Sequence, residues 1–120
     1  MISIILIILA SICNSVMDVI SFHYSISVFS KLNPKWWDPS ISWKNKYIDW
    51  DGGKQIEKNI WGIKYPIALT DAWHLFKSIM IVLFTLAIIT YTPFINPFID
   101  FIIMGVLWNT IFNLFYNKVS

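Results

Sequence analysis

Three apolar stretches, Ile2 to Phe22, Ile67 to Tyr91 and Phe94 to Tyr116, occupy most of the chain. A bilayer's hydrocarbon core is about 30 Å thick and is crossed by about 20 helical residues rising 1.5 Å each. A soluble domain of 120 residues has no need of three such runs. The expected fold is therefore all-α and membrane-embedded, one domain of three transmembrane helices over residues 2–22, 67–91 and 94–116. A Trp/Lys-rich interfacial loop, residues 31–66, joins the first two. The first helix has room to continue to Ser30, since only Asp18 and His23 are ionisable before that point.

The loop differs sharply from its flanks. Between Lys31 and Tyr65 lie seven of the nine lysines, four of the seven acids and five of the seven tryptophans, with Pro34, Pro39, Gly52 and Gly53. Trp and Tyr favour the headgroup layer because their rings are apolar and their tips donate hydrogen bonds. Lysine-rich short loops stay on the cytoplasmic side, and the Thr92 to Pro97 connection carries no lysine. The expected topology has the amino terminus outside and both the 31–66 loop and the carboxyl terminus cytoplasmic. In a virion membrane the same relative arrangement holds.

Every basic residue is lysine, and the net charge is only +2. No guanidinium is available for bidentate recognition of phosphates or bases, so nucleic acid is not an expected partner. Cys13 stands alone, which excludes a disulfide framework and a thiolate metal cluster. Small residues precede it in Leu9-Ala10-Ser11-Ile12-Cys13, but no lysine or arginine leads the apolar run, and Ile12 is bulky for lipoprotein processing. The segment reads as a retained membrane helix.

Polar residues inside a span are costly and mark function by default. Asp18 lies about 6 Å of helix from the end of the first span, with Asn14 one turn deeper. Asp71, His74 and Lys77 fall in the first turns of the second span, and Asn109 and Asn113 in the last turns of the third. All are at the depth nearest the loop, whereas the opposite half offers only Asp100 with serines and threonines. The matching depths predict a small polar chamber at the loop end of a three-helix bundle.

Asp71 and His74, three residues apart, share one face of a regular helix. Two chemistries suit them: an acid/base or hydrogen-bonding site in which Asp71 and Asp18 orient a catalytic His74, or a divalent metal held by Asp71, His74 and Asp18. The structural alternative has Asp71 or Thr70 capping the helix and His74 at the interface. His23, about 140° around the helix from Asp18, joins only if the helix bends or ends there. Lys44, Lys46, Lys77 and Trp43 are candidate headgroup contacts, with Lys77 equally able to extend toward the interface. Gly105, Asn109 and Asn113 form one stripe, expected to be a helix-packing seam.

In Asn14 to Asp18, Trp37 to Pro39, Ser42 to Tyr47 and Asp71 to Leu75, the chain resembles a family of uncharacterised small integral membrane proteins of bacteria and their phages. The family shares Asn-x-x-x-Asp, Trp-(Asn/Asp)-Pro, Ser-Trp-Lys-Asn-Lys-Tyr and Asp-Ala-Trp-His-Leu segments. The likeness covers roughly the first two-thirds and implies that loop and Asp/His residues belong to one unit. It brings no activity. Two functions remain: a site near the inner leaflet that binds or modifies a lipid headgroup or amphiphile, and a non-enzymatic membrane component. The latter covers a phage virion membrane protein, a holin-like protein or a subunit of a larger assembly. Membrane lipids, a second copy of the chain and other subunits of such an assembly are the expected partners.

Overall fold

The computed structural model describes residues 1–46, 59–60, 63–64 and 66–120. Three long helices dominate it: α1 (Ile2–His23), α4 (Ala72–Ile89) and α5 (Pro97–Val119), of 22, 18 and 23 residues. Each is long and apolar enough to cross a membrane, as a multi-pass membrane protein requires. Between the first two lie two single-turn helices, α2 (Pro34–Trp37) and α3 (Pro39–Ser42), and several 3-10 turns. The only strand pairing among the described residues is antiparallel and two residues long, Asn59 with Lys64 and Ile60 with Ile63.

Residue size decides which helix takes the centre. Ala10, Ser11 and Ser15 are fully buried on α1, and such small side chains let neighbouring backbones approach closely. Accordingly α1 packs against both α4 and α5. In the most apolar window of each span, 44% of α1 is buried against 11% of α4 and 6% of α5. The outer helices thus keep most of their surface for lipid. Ser11 Oγ ties α1 to α5 by donating to the Trp108 carbonyl at 2.7 Å, and Phe84 of α4 stacks on Trp108 of α5 at 5.2 Å.

Helix boundaries follow local chemistry. Asn33 and Asp38 cap α2 and α3, accepting from the backbone of Lys35 and Ser40, and Pro34 and Pro39 fill the first helical positions where no N–H is needed. α5 repeats the device with Asn96 and Pro97. The expected spans shift in consequence. The first α-helix ends at His23, and Tyr24–Ile26 and Val28–Lys31 continue only as 3-10 turns. The second begins at Ala72, since Ile67–Leu69 is a separate 3-10 turn, and the third starts at Pro97.

At the loop end the interior is apolar. Val16, Val19 and Ile20 of α1 meet Phe29, Ala72 and Val119, with Trp36, Trp37, Trp73 and Phe76 packed around them. Trp37 stacks on Phe29 at 4.8 Å and leans on Phe76 at 6.0 Å. This packing occupies the position of the expected polar chamber. Lipid tails are as apolar as the core, so the gain inside the bilayer is mainly close packing. At the water-accessible margin, burying Phe29 contributes about 1.5–3 kcal/mol.

At the other end, Asp100 secures the connection between α4 and α5. It is fully buried, and its carboxylate accepts from the Tyr91 hydroxyl at 2.7 Å and from the N–H groups of Phe94 and Ile95 at 3.0 and 3.1 Å. Those two N–H groups lie in the turn before α5, where no helical carbonyl serves them.

Candidate functional site: an Asp71 and His74 pair at the start of α4

The site is built where α4 begins. Asp71 has extended backbone angles, φ −158° and ψ 169°, which place it just outside the helix as its N-cap. Its carboxylate accepts the His74 backbone N–H at 2.8 Å. The His74 ring then folds back, so that Nδ1 lies 2.9 Å from both carboxylate oxygens. An ionised carboxylate can only accept, so Nδ1 carries the proton and, in the neutral ring, Nε2 presents a lone pair. Nε2 makes no hydrogen bond to another described residue. The Asp71 side chain is 5% exposed and that of His74 27%, so the carboxylate is enclosed while the ring edge is reachable.

Neighbouring residues hold this arrangement. The side-chain amide of Asn45 donates to the carbonyls of Lys35 and Thr70, the latter at 2.7 Å. One residue thereby ties the turn Trp43–Lys46 to the backbone immediately before Asp71. Trp73 meets the His74 ring edge-on at 5.0 Å, and Lys77 Nζ sits 5.1 Å from the centre of the Trp73 ring. Imidazole, indole and ammonium follow one another along this side of α4.

The candidate residues do not all converge. Asp18 is half-buried on α1 and makes no hydrogen bond or ion pair with another described residue. His23 turns to α5, meeting the Tyr116 ring edge-on at 5.6 Å. Among the described residues no three of His, Cys, Asp or Glu are grouped closely enough to hold a metal ion. The expected divalent-metal set of Asp71, His74 and Asp18 is therefore not assembled. The reason is local: a cap residue does not project from the helix face, so Asp71 binds His74 instead of standing beside it. Lys44 Nζ lies 5.7 Å from the Trp43 ring centre, and the Trp43 indole N–H donates to the Ser40 carbonyl at 3.0 Å. Lys46 closes the same turn, and its side chain falls outside the described residues.

The expected seam on α5 is also corrected. Gly105, Asn109 and Asn113 are exposed, and a Cβ built on Gly105 would meet nothing within 4 Å. Asn113 donates to the Asn109 carbonyl of its own helix at 2.9 Å. The larger residues Met104, Trp108, Phe112 and Tyr116 take the inward side, and the asparagines are turned away from α1 and α4. Sequence reasoning passed over two residues. Asn45 carries no signal beyond its place in the Ser42 to Tyr47 segment. Asp100 could have been suspected as a carboxylate one turn into a helix that starts Asn96-Pro97.

No protein-family model, curated protein or solved structure matches the chain, so the functional reading rests on this geometry.

Proposed function

We propose that this chain is a membrane protein that binds the polar headgroup of an amphiphile at the boundary beside the start of α4. One observation carries the reading: Asp71 engages Nδ1 of His74 with both oxygens and leaves Nε2 reachable. Nε2 accepts a hydrogen bond from a headgroup hydroxyl or amine, while Lys77, Lys44 and Lys46 attract a headgroup's negative charge. Trp43 supports the same contact from the loop. Catalysis on such a ligand would add one proton transfer, from a headgroup hydroxyl to Nε2, with Asp71 stabilising the imidazolium formed. We place the 31–66 segment and the carboxyl terminus on the cytoplasmic side by the lysine distribution. An impermeant thiol reagent should leave Ser40→Cys, in a Cys13→Ser background, unmodified in intact cells.

Thermal unfolding of purified protein tests the binding, with phosphatidylglycerol or phosphatidylcholine added to the detergent. Wild-type protein should be stabilised by the hydroxylated anionic headgroup, and His74→Gln should lose most of that shift while still inserting and folding. Equal shifts in the two proteins would sink the reading.

The outward stripe on α5 favours a second one, a non-enzymatic component of a homo-oligomer or larger membrane assembly. Asn109 lies near the middle of α5 and faces away from this chain's own helices. An amide both donates and accepts, so the same asparagine on a parallel copy at equal depth is a complementary partner. Oxidative cross-linking of Asn109→Cys in the Cys13→Ser background should trap dimers, and none would form if the stripe faces only lipid.

A further inference from the structure

A cavity of about 290 Å³ lies between α1, α4 and α5, at the end remote from Asp71 and His74. Its lining includes Ile7, Phe84, Ala87, Phe101 and Met104, with Ser3 and Tyr91 near the helix ends. The Tyr91 hydroxyl is already committed to Asp100. Ser3 is 1% exposed, and its Oγ is the one buried side-chain oxygen or nitrogen among the described residues with no hydrogen-bond partner.

The reason lies in where Ser3 stands. Serines deeper in a helix donate to a carbonyl three or four residues back, as Ser15 does to Ile12 at 2.7 Å. Ser3 is in the first turn of α1 and has no carbonyl that far behind it in the helix. The hydroxyl is thus an unused donor on a residue that lines an otherwise apolar space, and a ligand bearing an acceptor there would satisfy it.

We infer that this cavity binds one acyl chain of a bilayer glycerolipid, whose ester carbonyl accepts the hydrogen bond of the Ser3 hydroxyl. Depth favours this occupant. Ser3, Tyr91 and Pro97 lie at or beside helix ends, the level at which ester carbonyls border the hydrocarbon, and the lining continues inward to Phe84 and Met104, seven residues or about 10 Å further along. A lining that runs inward from the helix ends and is polar only at its outer end matches a carbonyl followed by methylenes. Entry is lateral, because the lining residues Ile88 and Phe101 are 77% and 75% exposed. The site is separate from the Asp71 and His74 pair and stands or falls without it.

The test compares two phosphatidylcholines of equal chain length, one ester-linked and one ether-linked, each with a photoactivatable diazirine on the acyl or alkyl chain. Both are reconstituted in turn with the full-length protein in nanodiscs, and cross-linked peptides are identified by mass spectrometry. Wild-type protein should label at Ile7, Phe84 or Met104, with the ester lipid favoured about threefold to tenfold, the range for one hydrogen bond. Ser3→Ala should abolish that preference and Ser3→Thr should retain it. Ala87→Trp, which fills the cavity, should lose the labelling, while Ile102→Trp on the exposed face should not. Labelling spread evenly over α4 and α5 would overturn the inference, as would an ester preference unchanged in Ser3→Ala.

Discussion

His74 Nδ1 lies 2.9 Å from each carboxylate oxygen of Asp71, while the same carboxylate caps α4 through the His74 backbone N–H. One aspartate therefore performs two tasks, ending the orphaned first turn of the helix and fixing the orientation of the ring. Capping alone would leave the imidazole free to rotate. Because both bonds run to one residue, ring position and helix start are coupled.

That coupling separates two substitutions. Asp71→Ala removes cap and ring partner together and should cost about 0.5–2 kcal/mol for the cap alone. Asp71→Asn keeps an acceptor for the backbone but can present an amide N–H to the ring, so it should hold most of the stability while releasing the Nδ1–H tautomer. Unfolding measurements give the first difference, and nitrogen-15 spectra of the imidazole give the second. An unchanged tautomer in Asp71→Asn would show that something other than the carboxylate orients His74.

Asn45 supplies a test of how the site is held. Its amide bonds the carbonyls of both Lys35 and Thr70. Asn45→Ala should lose about 1–3 kcal/mol, corresponding to two net hydrogen bonds. It should also speed proteolysis between Lys31 and Tyr65 while leaving the three long helices in place. If protease sensitivity and stability both match the wild type, the Trp43–Lys46 turn is held by other contacts.

Asp18 and Asp100 should rank in the opposite order from their prominence in the sequence. Asp18 aligns in depth with the other polar residues, yet it bonds to no described residue. Asp100 looks isolated, yet it is fully buried and accepts three hydrogen bonds. Asp100→Asn should lower the unfolding midpoint of purified protein, because an amide cannot accept from all three donors, and Tyr91→Phe should reproduce part of the loss. Asp18→Asn should move it little. Equal effects of the two aspartate substitutions would contradict the turn-locking role.

How much could be read from the chain depended on which coordinate a pattern encodes. Apolar length encodes depth, so three spanning helices and the position of Asp71 and His74 near the loop were legible. Rotation about each helix axis was not. Asn109 is not level with His74, since its neighbour Trp108 stacks on Phe84, ten residues further along α4, and the bulk of Met104, Trp108, Phe112 and Tyr116 turns α5 so that both asparagines face outward. Similarly, an i, i+3 spacing implies a shared face only within a helix, and the extended backbone of Asp71 puts it outside. The Asn33-Pro34, Asp38-Pro39 and Asn96-Pro97 pairs are capping signals that would have corrected the helix starts.

Gly105 gives the sharpest separation between packing inside this chain and packing against another. A Cβ at Gly105 meets nothing within 4 Å, so Gly105→Leu should leave the unfolding free energy of the monomer within about 0.5 kcal/mol of wild type, as for a surface substitution. Ser11→Leu is the contrasting case. Ser11 of α1 is fully buried and donates to the Trp108 carbonyl of α5, so a larger apolar side chain both overpacks the contact and removes that interhelical hydrogen bond. It should cost about 1–3 kcal/mol or more. If Gly105→Leu instead destabilises the protein in a concentration-dependent manner, the stripe is an interface between copies, and the same variant should abolish Asn109→Cys cross-linking. A concentration-independent loss comparable to that of Ser11→Leu would mean that α5 is rotated to bring Gly105 against α1.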